Sequence, residues 1–366
     1  MKKIDTRTVC MALVVLLWMV LTVAAWFAPA KELSEAERRP LAQAPELSVD
    51  TLLSGKFMED FEEFSLDQFP MRDTFRKLKS LFHFNILNQS DNNDIYIADG
   101  FAVKQEYPLN QESVNHAAGR FRYIHECYLQ ESDIYVAIVP DKGQYLAEEN
   151  GHLTLSLDKL SAVLQEEMPW ATHIDLFSSL EAEDYYRTDV HWRQEKLFDA
   201  ASVICDAMGI TAPDPADYTM TALERPFYGV YYGQAALPME PETMYLLESD
   251  LLSACRVYDY ESGKYGEIYD RTKLTSRDLY DVFLSGPRSL LTIENPNAKT
   301  DRELILFRDS FGSSMAPLLL QDYARITLVD IRYIQIDVLS RFLEFNGQDV
   351  LMLYSVPVLN NSQTMK

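Results

Sequence analysis

Hydrophobic and polar positions divide this chain into zones. The first is an unbroken apolar run from Val9 to Phe27 preceded by Lys2, Lys3 and Arg7, close to the roughly 20 residues that a membrane-spanning helix needs. The basic flank predicts a cytoplasmic N-terminus, with everything after Ala30 outside. Ala28-Pro29-Ala30 admits a second reading, a cleaved signal peptide with small residues at the -3 and -1 positions. The run is longer than a usual signal core and proline sits at -2, so an uncleaved anchor over residues 1–30 is the favoured expectation. Either way the body of the chain is exported.

Residues 31–48 turn charged and proline-flanked, from Lys31-Glu32 through Glu35-Ala36-Glu37-Arg38-Arg39-Pro40, as a juxtamembrane linker does. Over 49–93, Phe57, Phe61, Phe64, Phe69, Phe75, Leu78, Phe82 and Ile86 recur at helical spacing around a break at Pro70. That spacing predicts two amphipathic helices packing on the main domain, rather than an aromatic cofactor site.

From Asp94 onward the period changes. Apolar residues flank Asp99-Gly100, a hairpin signal, and Glu112–Gln130 is helical in pattern. Asp133–Pro140 reads as a buried strand, followed by Asp141, Lys142 and Tyr145, polar groups just past a strand's carboxyl end where open α/β sheets place ligands. Leu157–Met168 (helix), Ala171–Phe177 (strand), Ser178–Glu183 (short helix) and Trp192–Met208 (helix, stopped by Gly209) continue the alternation. Between about 226 and 291 the runs become Tyr-rich and irregular, predicting a small β-rich insertion roofing a cleft, its aromatic residues serving sugar stacking or a small core. Arg302–Phe307, Ile326–Asp330 and Val350–Tyr354 then read as strands, with helices at Met315–Asp322 and Ile336–Asn346. Alternating strands and helices predict an α/β domain over 94–366 with a parallel sheet and helices on both faces.

Composition narrows the function classes. Of the 366 residues 47% are hydrophobic, enough for a large core, and the formal net charge of -23 argues against nucleic acid and anionic surfaces as partners. Cys10, Cys127, Cys205 and Cys255 are scattered without paired spacing, which supports neither a zinc site nor a particular disulfide. No Gly-rich phosphate loop or histidine cluster indicates a cofactor or metal.

The candidate chemistry lies at two places. Strand Arg302–Phe307 breaks at Arg308-Asp309-Ser310-Phe311-Gly312, a sharp turn exposing Ser310. Asp189 and His191 lie in the loop leading into the Trp192 helix. A serine hydroxyl attacks only when an imidazole takes its proton and a carboxylate orients that imidazole. Ser310 as nucleophile, His191 as base and Asp189 as its partner satisfy this, with the Ser310 amide and an exposed amide such as Gly229 holding the oxyanion. Each residue alone has a structural rival: Ser310 and Asp189 as helix caps, His191 as an ordinary core or surface histidine. His83, His116, His125, His152 and His173 have no such context and read as structural.

Thr188-Asp189-Val190-His191-Trp192 resembles the Asp-His-His-Trp motif of the DHHW protein family and the Asp-x-His-Trp signature of the related alginate O-acetyltransferases. Arg308-Asp309-Ser310-Phe311-Gly312 resembles their serine block, Asp330-Ile331-Arg332-Tyr333 a following Asp-x-Arg-Tyr, and Pro140-Asp141-Lys142 an early Pro-x-Lys. Val190 replaces the first histidine of the motif, and Gly229-Val230 stands where the family has Gly-Ser. The resemblance implies an SGNH-hydrolase-like three-layer α/β/α domain whose Ser-His-Asp triad moves acetyl groups onto or off exported or cell-surface polysaccharides. It further implies a membrane-bound O-acyltransferase partner, and Lys142, Arg308 and Arg332 as candidate substrate-binding groups. An O-acetyltransferase is the expectation, beside a carbohydrate or lipid esterase with the same residues and a non-catalytic glycan-binding component of an export complex.

Overall fold

The computed structural model describes residues 5–34, 36–237 and 239–366. Lys2 and Lys3 of the basic flank, and Glu35 of the linker, lie outside the described residues. Two units are resolved: one holds the chain up to Asn93 with a short segment beginning at Tyr232, the other Asp94–Tyr231 and Met239–Lys366.

In the first unit the apolar run forms α1 (Thr6–Phe27), 22 residues long and sufficient to cross a membrane. Helices α2 (Lys56–Asp67) and α3 (Arg72–Asn85) are separated at Pro70, as the pattern predicts. Their polar side holds the unit together. Asp67 is buried and accepts both guanidinium nitrogens of Arg39, at 2.7 and 2.6 Å, with the Ala42 amide at 2.9 Å. The Arg39 hydrogen bonds hold the Asp67 carboxyl below its ordinary range. Arg72 and Arg76 converge on Glu37. Phe75, Leu78 and Phe82 of the apolar stripe are exposed, while Arg72 and Arg76 on the other side of α3 pair with Glu37.

In the second unit, β1 (Ile95–Ala98) and β2 (Phe101–Lys104) form the expected hairpin, Asp99 and Gly100 both at positive φ as a tight two-residue turn requires. Then come α4 (Gln111–Tyr128), β3 (Ile134–Val139), α5 (Leu157–Glu167), β4 (Thr172–Ile174) and α6 (Phe198–Met208). Strands β5 (Arg256–Asp259), β6 (Lys264–Gly266), β7 (Leu290–Glu294), β8 (Arg302–Arg308), β9 (Tyr323–Val329) and β10 (Asp349–Ser355) follow. They build a sheet of order β6-β5-β7-β9-β8-β10-β3-β4. From β9 to β4 neighbouring strands are parallel, and β7, β5 and β6 extend the sheet antiparallel.

Both faces are apolar, so the parallel strands read as continuous hydrophobic runs. Along β8, Leu304 and Leu306 enter one core with Ala200, Ala201 and Ile204 of α6, whereas Ile305 and Phe307 enter another with Phe121 of α4 and Leu160 of α5. Within the 226–291 stretch β5 and β6 extend the sheet at its edge, whereas the residues before Arg256 and between Gly266 and Leu290 lie outside it as short helical turns and a separate strand pairing. One expectation is corrected. The Met315–Asp322 and Ile336–Asn346 helices are short turns, Gly312–Met315 with Ala316–Leu319, and Ile336–Arg341, the first shortened by Pro317, which has no amide proton to continue the ladder.

Candidate active site

Parallel strands deliver several loops to one end of the sheet. Ser310 follows β8, Lys142 follows β3 and the 184–197 loop follows β4, all at carboxyl ends. The turn after β8 is fixed by Asp309: one carboxylate oxygen accepts the Phe311 amide at 3.0 Å, the other the Ser355 amide and hydroxyl at 2.8 and 2.7 Å. This ties the ends of β8 and β10 together and holds Ser310 half-buried between them.

His191 Nε2 lies 2.8 Å from Ser310 Oγ, and His191 Nδ1 lies 2.6 Å from Asp189 Oδ1. The same oxygen accepts the His191 amide at 3.1 Å, and Oδ2 accepts the Val230 amide at 2.7 Å. A carboxylate facing Nδ1 makes that nitrogen the donor and leaves Nε2 to accept the serine proton. Asp189 is fully buried, and the His191 side chain is 11% exposed. Tyr280 stacks on the ring at a centroid distance of 3.8 Å and 9°. Its hydroxyl lies 2.7 Å from Ser314 Oγ, which also accepts Trp192 Nε1–H at 2.8 Å. Trp192 thereby binds the histidine loop to the serine turn, and Gln194 adds a bond to the Ser314 carbonyl at 2.9 Å.

The other candidates do different work. Lys142 is fully buried and donates to the carbonyls of Tyr186 at 2.7 Å, Asp189 at 2.6 Å and Arg187 at 3.4 Å. This corrects its reading as a substrate-binding group: it shapes the loop carrying Asp189. Burial pulls its ammonium down from the ordinary 10.5 to about 8. Below about pH 8 the charged form donates three protons to those carbonyls, and above it the neutral amine donates two. An alkaline fall in activity with an inflection near pH 8 is therefore expected from a pH profile of kcat/KM. Stability runs the other way. The unfolded chain binds the extra proton between about pH 8 and 10.5, so the cost of burying the charge is present below that window and relieved across it. Lys142→Met strands the carbonyls without a donor and is expected to cost about 3 kcal/mol, read by urea denaturation.

Gly229 is also reassigned. Its amide donates to Thr188 Oγ1 at 2.9 Å and is not turned to the serine, so it is no oxyanion donor. A Cβ there would stand 2.2 Å from the Thr188 carbonyl carbon and oxygen and 2.3 Å from the Asp189 amide nitrogen. Glycine is required by this close backbone approach. Gly229→Ala is expected to displace Asp189, lowering kcat/KM together with about 2 kcal/mol of stability, checked by assaying the variant alongside its melting curve.

Arg308 and Arg332 both turn to Asp330. Arg332 is bidentate on it at 2.9 and 2.7 Å, and Arg308 Nη1 lies 3.9 Å away while donating to the Asp309 carbonyl at 3.3 Å. Arg308 is buried, with Asp330 as its anionic neighbour. Sequence reasoning passed over Tyr280 and Glu242, the latter accepting the Thr188 amide and hydroxyl at 3.0 and 3.1 Å. Both fall in the irregular Tyr-rich stretch, where no periodicity marks them. Asp309 and Trp192 stand within the two motifs, which was their only signal.

These elements define a mixed α/β protein with a large, mostly parallel sheet and a serine–histidine–aspartate line at its carboxyl edge. Residues 172–329 match the family model described as DHHW protein. Among solved structures, a DHHW family protein from Eubacterium siraeum shares 19% identity over 74% of this chain and 93% of that one, with a TM-score of 0.60. Bacillus cereus PatB1 shares 18% over 72% and 96%, with a TM-score of 0.52. The O-acetyltransferase domain of Pseudomonas putida AlgJ shares 14% over 73% and 92%, at a TM-score of 0.44. The resemblance to the DHHW family read from the motifs holds. Among curated proteins no sequence matches the chain.

Proposed function

We propose that the chain is an SGNH-hydrolase-like serine O-acetyltransferase with a three-layer α/β/α domain. Held by Thr6–Phe27 as a single-pass anchor, it acts outside the membrane on an exported or cell-surface polysaccharide. The observation that carries this is the hydrogen-bonded line Ser310–His191–Asp189 at 2.8 and 2.6 Å, on residues whose motifs resemble the DHHW and alginate O-acetyltransferase signatures.

In this reading Ser310 Oγ attacks the acetyl carbonyl while its proton passes to His191 Nε2. The oxyanion is met by the Ser310 amide at the strand-to-helix turn. Collapse breaks the bond to the donor's oxygen, which takes the proton from His191 and leaves an acetyl ester on Ser310. A sugar hydroxyl then attacks that ester as His191 removes its proton, and Ser310 Oγ leaves, reprotonated by the imidazole. Asp189 holds Nδ1–H throughout and stabilises the imidazolium. A membrane-bound O-acyltransferase would supply the acetyl group on the outer side.

The full chain incubated with an acetyl ester and oligosaccharides tests this. Acetylated sugar that disappears in Ser310→Ala supports transfer. Free acetate alone assigns an esterase instead, and no turnover of either kind assigns a glycan-binding component.

A further inference from the structure

Helix α3 carries its apolar residues on the wrong side for a soluble protein. Its buried stripe is polar: Arg72 and Arg76 run to Glu37, Arg76 also donates to the carbonyls of Gly233 and Gln234 at 2.9 and 2.8 Å, and Ser80 is fully buried. The exposed stripe is Met71, Phe75, Leu78, Phe82 and Ile86, at spacings of four, three, four and four residues. Leu78 is 59% exposed and Ile86 67%. Amphipathic helices ordinarily bury such a stripe. Here the ion pairs fix the opposite rotation.

The place of this helix in the first unit says what covers it. Gln68, at the α2–α3 corner, accepts the Lys31 amide at 2.8 Å and donates to the Lys31 carbonyl at 2.8 Å and the Ala42 carbonyl at 2.9 Å. Lys31 is four residues beyond the end of α1, a reach of at most about 14 Å. A groove of about 910 Å³ is lined by Ala28–Ser34 on one side and Asp67–Thr74 on the other, so the corner sits beside the exit of α1. Exposed Lys77 and Lys79 accompany the stripe, the composition of helices that lie in a membrane interface.

We propose that α3 is a surface-lying membrane helix, its Met71–Ile86 stripe dipping into the acyl boundary of the bilayer beside the exit of the anchor. The proposal rests on the reading of Thr6–Phe27 as membrane-spanning. The occupant is lipid, fixed by a helix held polar side inward next to that exit.

Full-length chain with Cys10 and Cys127 changed to serine, reconstituted in vesicles of phosphatidylcholine and phosphatidylglycerol, tests it. Cys205 and Cys255 are buried and stay unlabelled. An environment-sensitive fluorophore is attached at L78C, at D73C on the far side of the helix, or at L16C within α1. Nitroxide-bearing lipids then report contact. Quenching and a blue shift at position 78, with quenching at 16 and none at 73, is the expected result. Quenching at 16 without quenching at 78 overturns the membrane-lying helix while the anchor stands, and is the outcome if a membrane protein covers the stripe instead. Equal quenching at 73 and 78 overturns the facial docking. No quenching at 16 overturns the anchor and the proposal with it. The labelled positions on α3 are solvent-exposed, and circular dichroism verifies that each variant is folded.

Discussion

Alanine at position 310 is expected to leave the melting temperature unchanged and to remove at least about four orders of magnitude of kcat/KM toward an acetyl ester. The two halves have one cause. Ser310 is half-buried, and its side chain contributes a hydrogen bond to His191 and little packing. The turn is held instead by Asp309, through the amides of Phe311 and Ser355. Removing Oγ therefore deletes the nucleophile and leaves its support. A chromogenic acetyl ester gives the rate and differential scanning fluorimetry the stability. A variant within tenfold of the parent rate would sink the serine mechanism.

Asp189→Asn is expected to cost about four orders of magnitude in kcat while preserving the shape of the residue. The Asp189 carboxylate accepts from His191 Nδ1 and N and from the Val230 amide. An asparagine has one acceptor oxygen, so its amide protons must face a donor. Turning the NH2 toward Val230 preserves the bond to His191 and leaves two N–H groups opposed. Turning it toward His191 forces Nδ1 to accept, moves the ring proton to Nε2 and blocks the base. Both outcomes lower the rate, and the first also destabilises the loop. Unlike Ser310→Ala, this variant is therefore expected to melt earlier, and unchanged kinetics would separate Asp189 from the chemistry.

The loop geometry explains why some of this was legible and some was not. β3, β8 and β10 are apolar on both faces, so their runs stand out within one residue of their observed ends; β9 starts three residues before its expected Ile326, where Ala324 and Arg325 interrupt the burial. The Asp99-Gly100 turn carries its signal in two adjacent residues at positive φ. The helices expected from Trp192 and from Met315 are shorter in the structure, because apolar spacing continues through residues that instead pack as loop. Trp192 is apolar in pattern, yet it is an anchor whose ring nitrogen reaches Ser314, 122 residues away. In the Tyr-rich stretch, expected as irregular and β-rich, β5 and β6 are too short to show a period that would place them.

The sequence by itself determined the apolar N-terminal helix, the alternation that makes a parallel sheet, and the three side chains with the right chemistry at loop positions. Those depend on local periodicity and residue type, which are written along the chain. Tertiary structure decided which candidates meet: that Lys142 serves three loop carbonyls, that Arg308 and Arg332 share Asp330, and that Gly229 is a contact point rather than an oxyanion donor. It also decided that α3 faces its apolar stripe outward. A hydrophobic period gives the existence of a stripe, whereas its direction is set by where Glu37 and the carbonyls of Gly233 and Gln234 stand to receive Arg72 and Arg76.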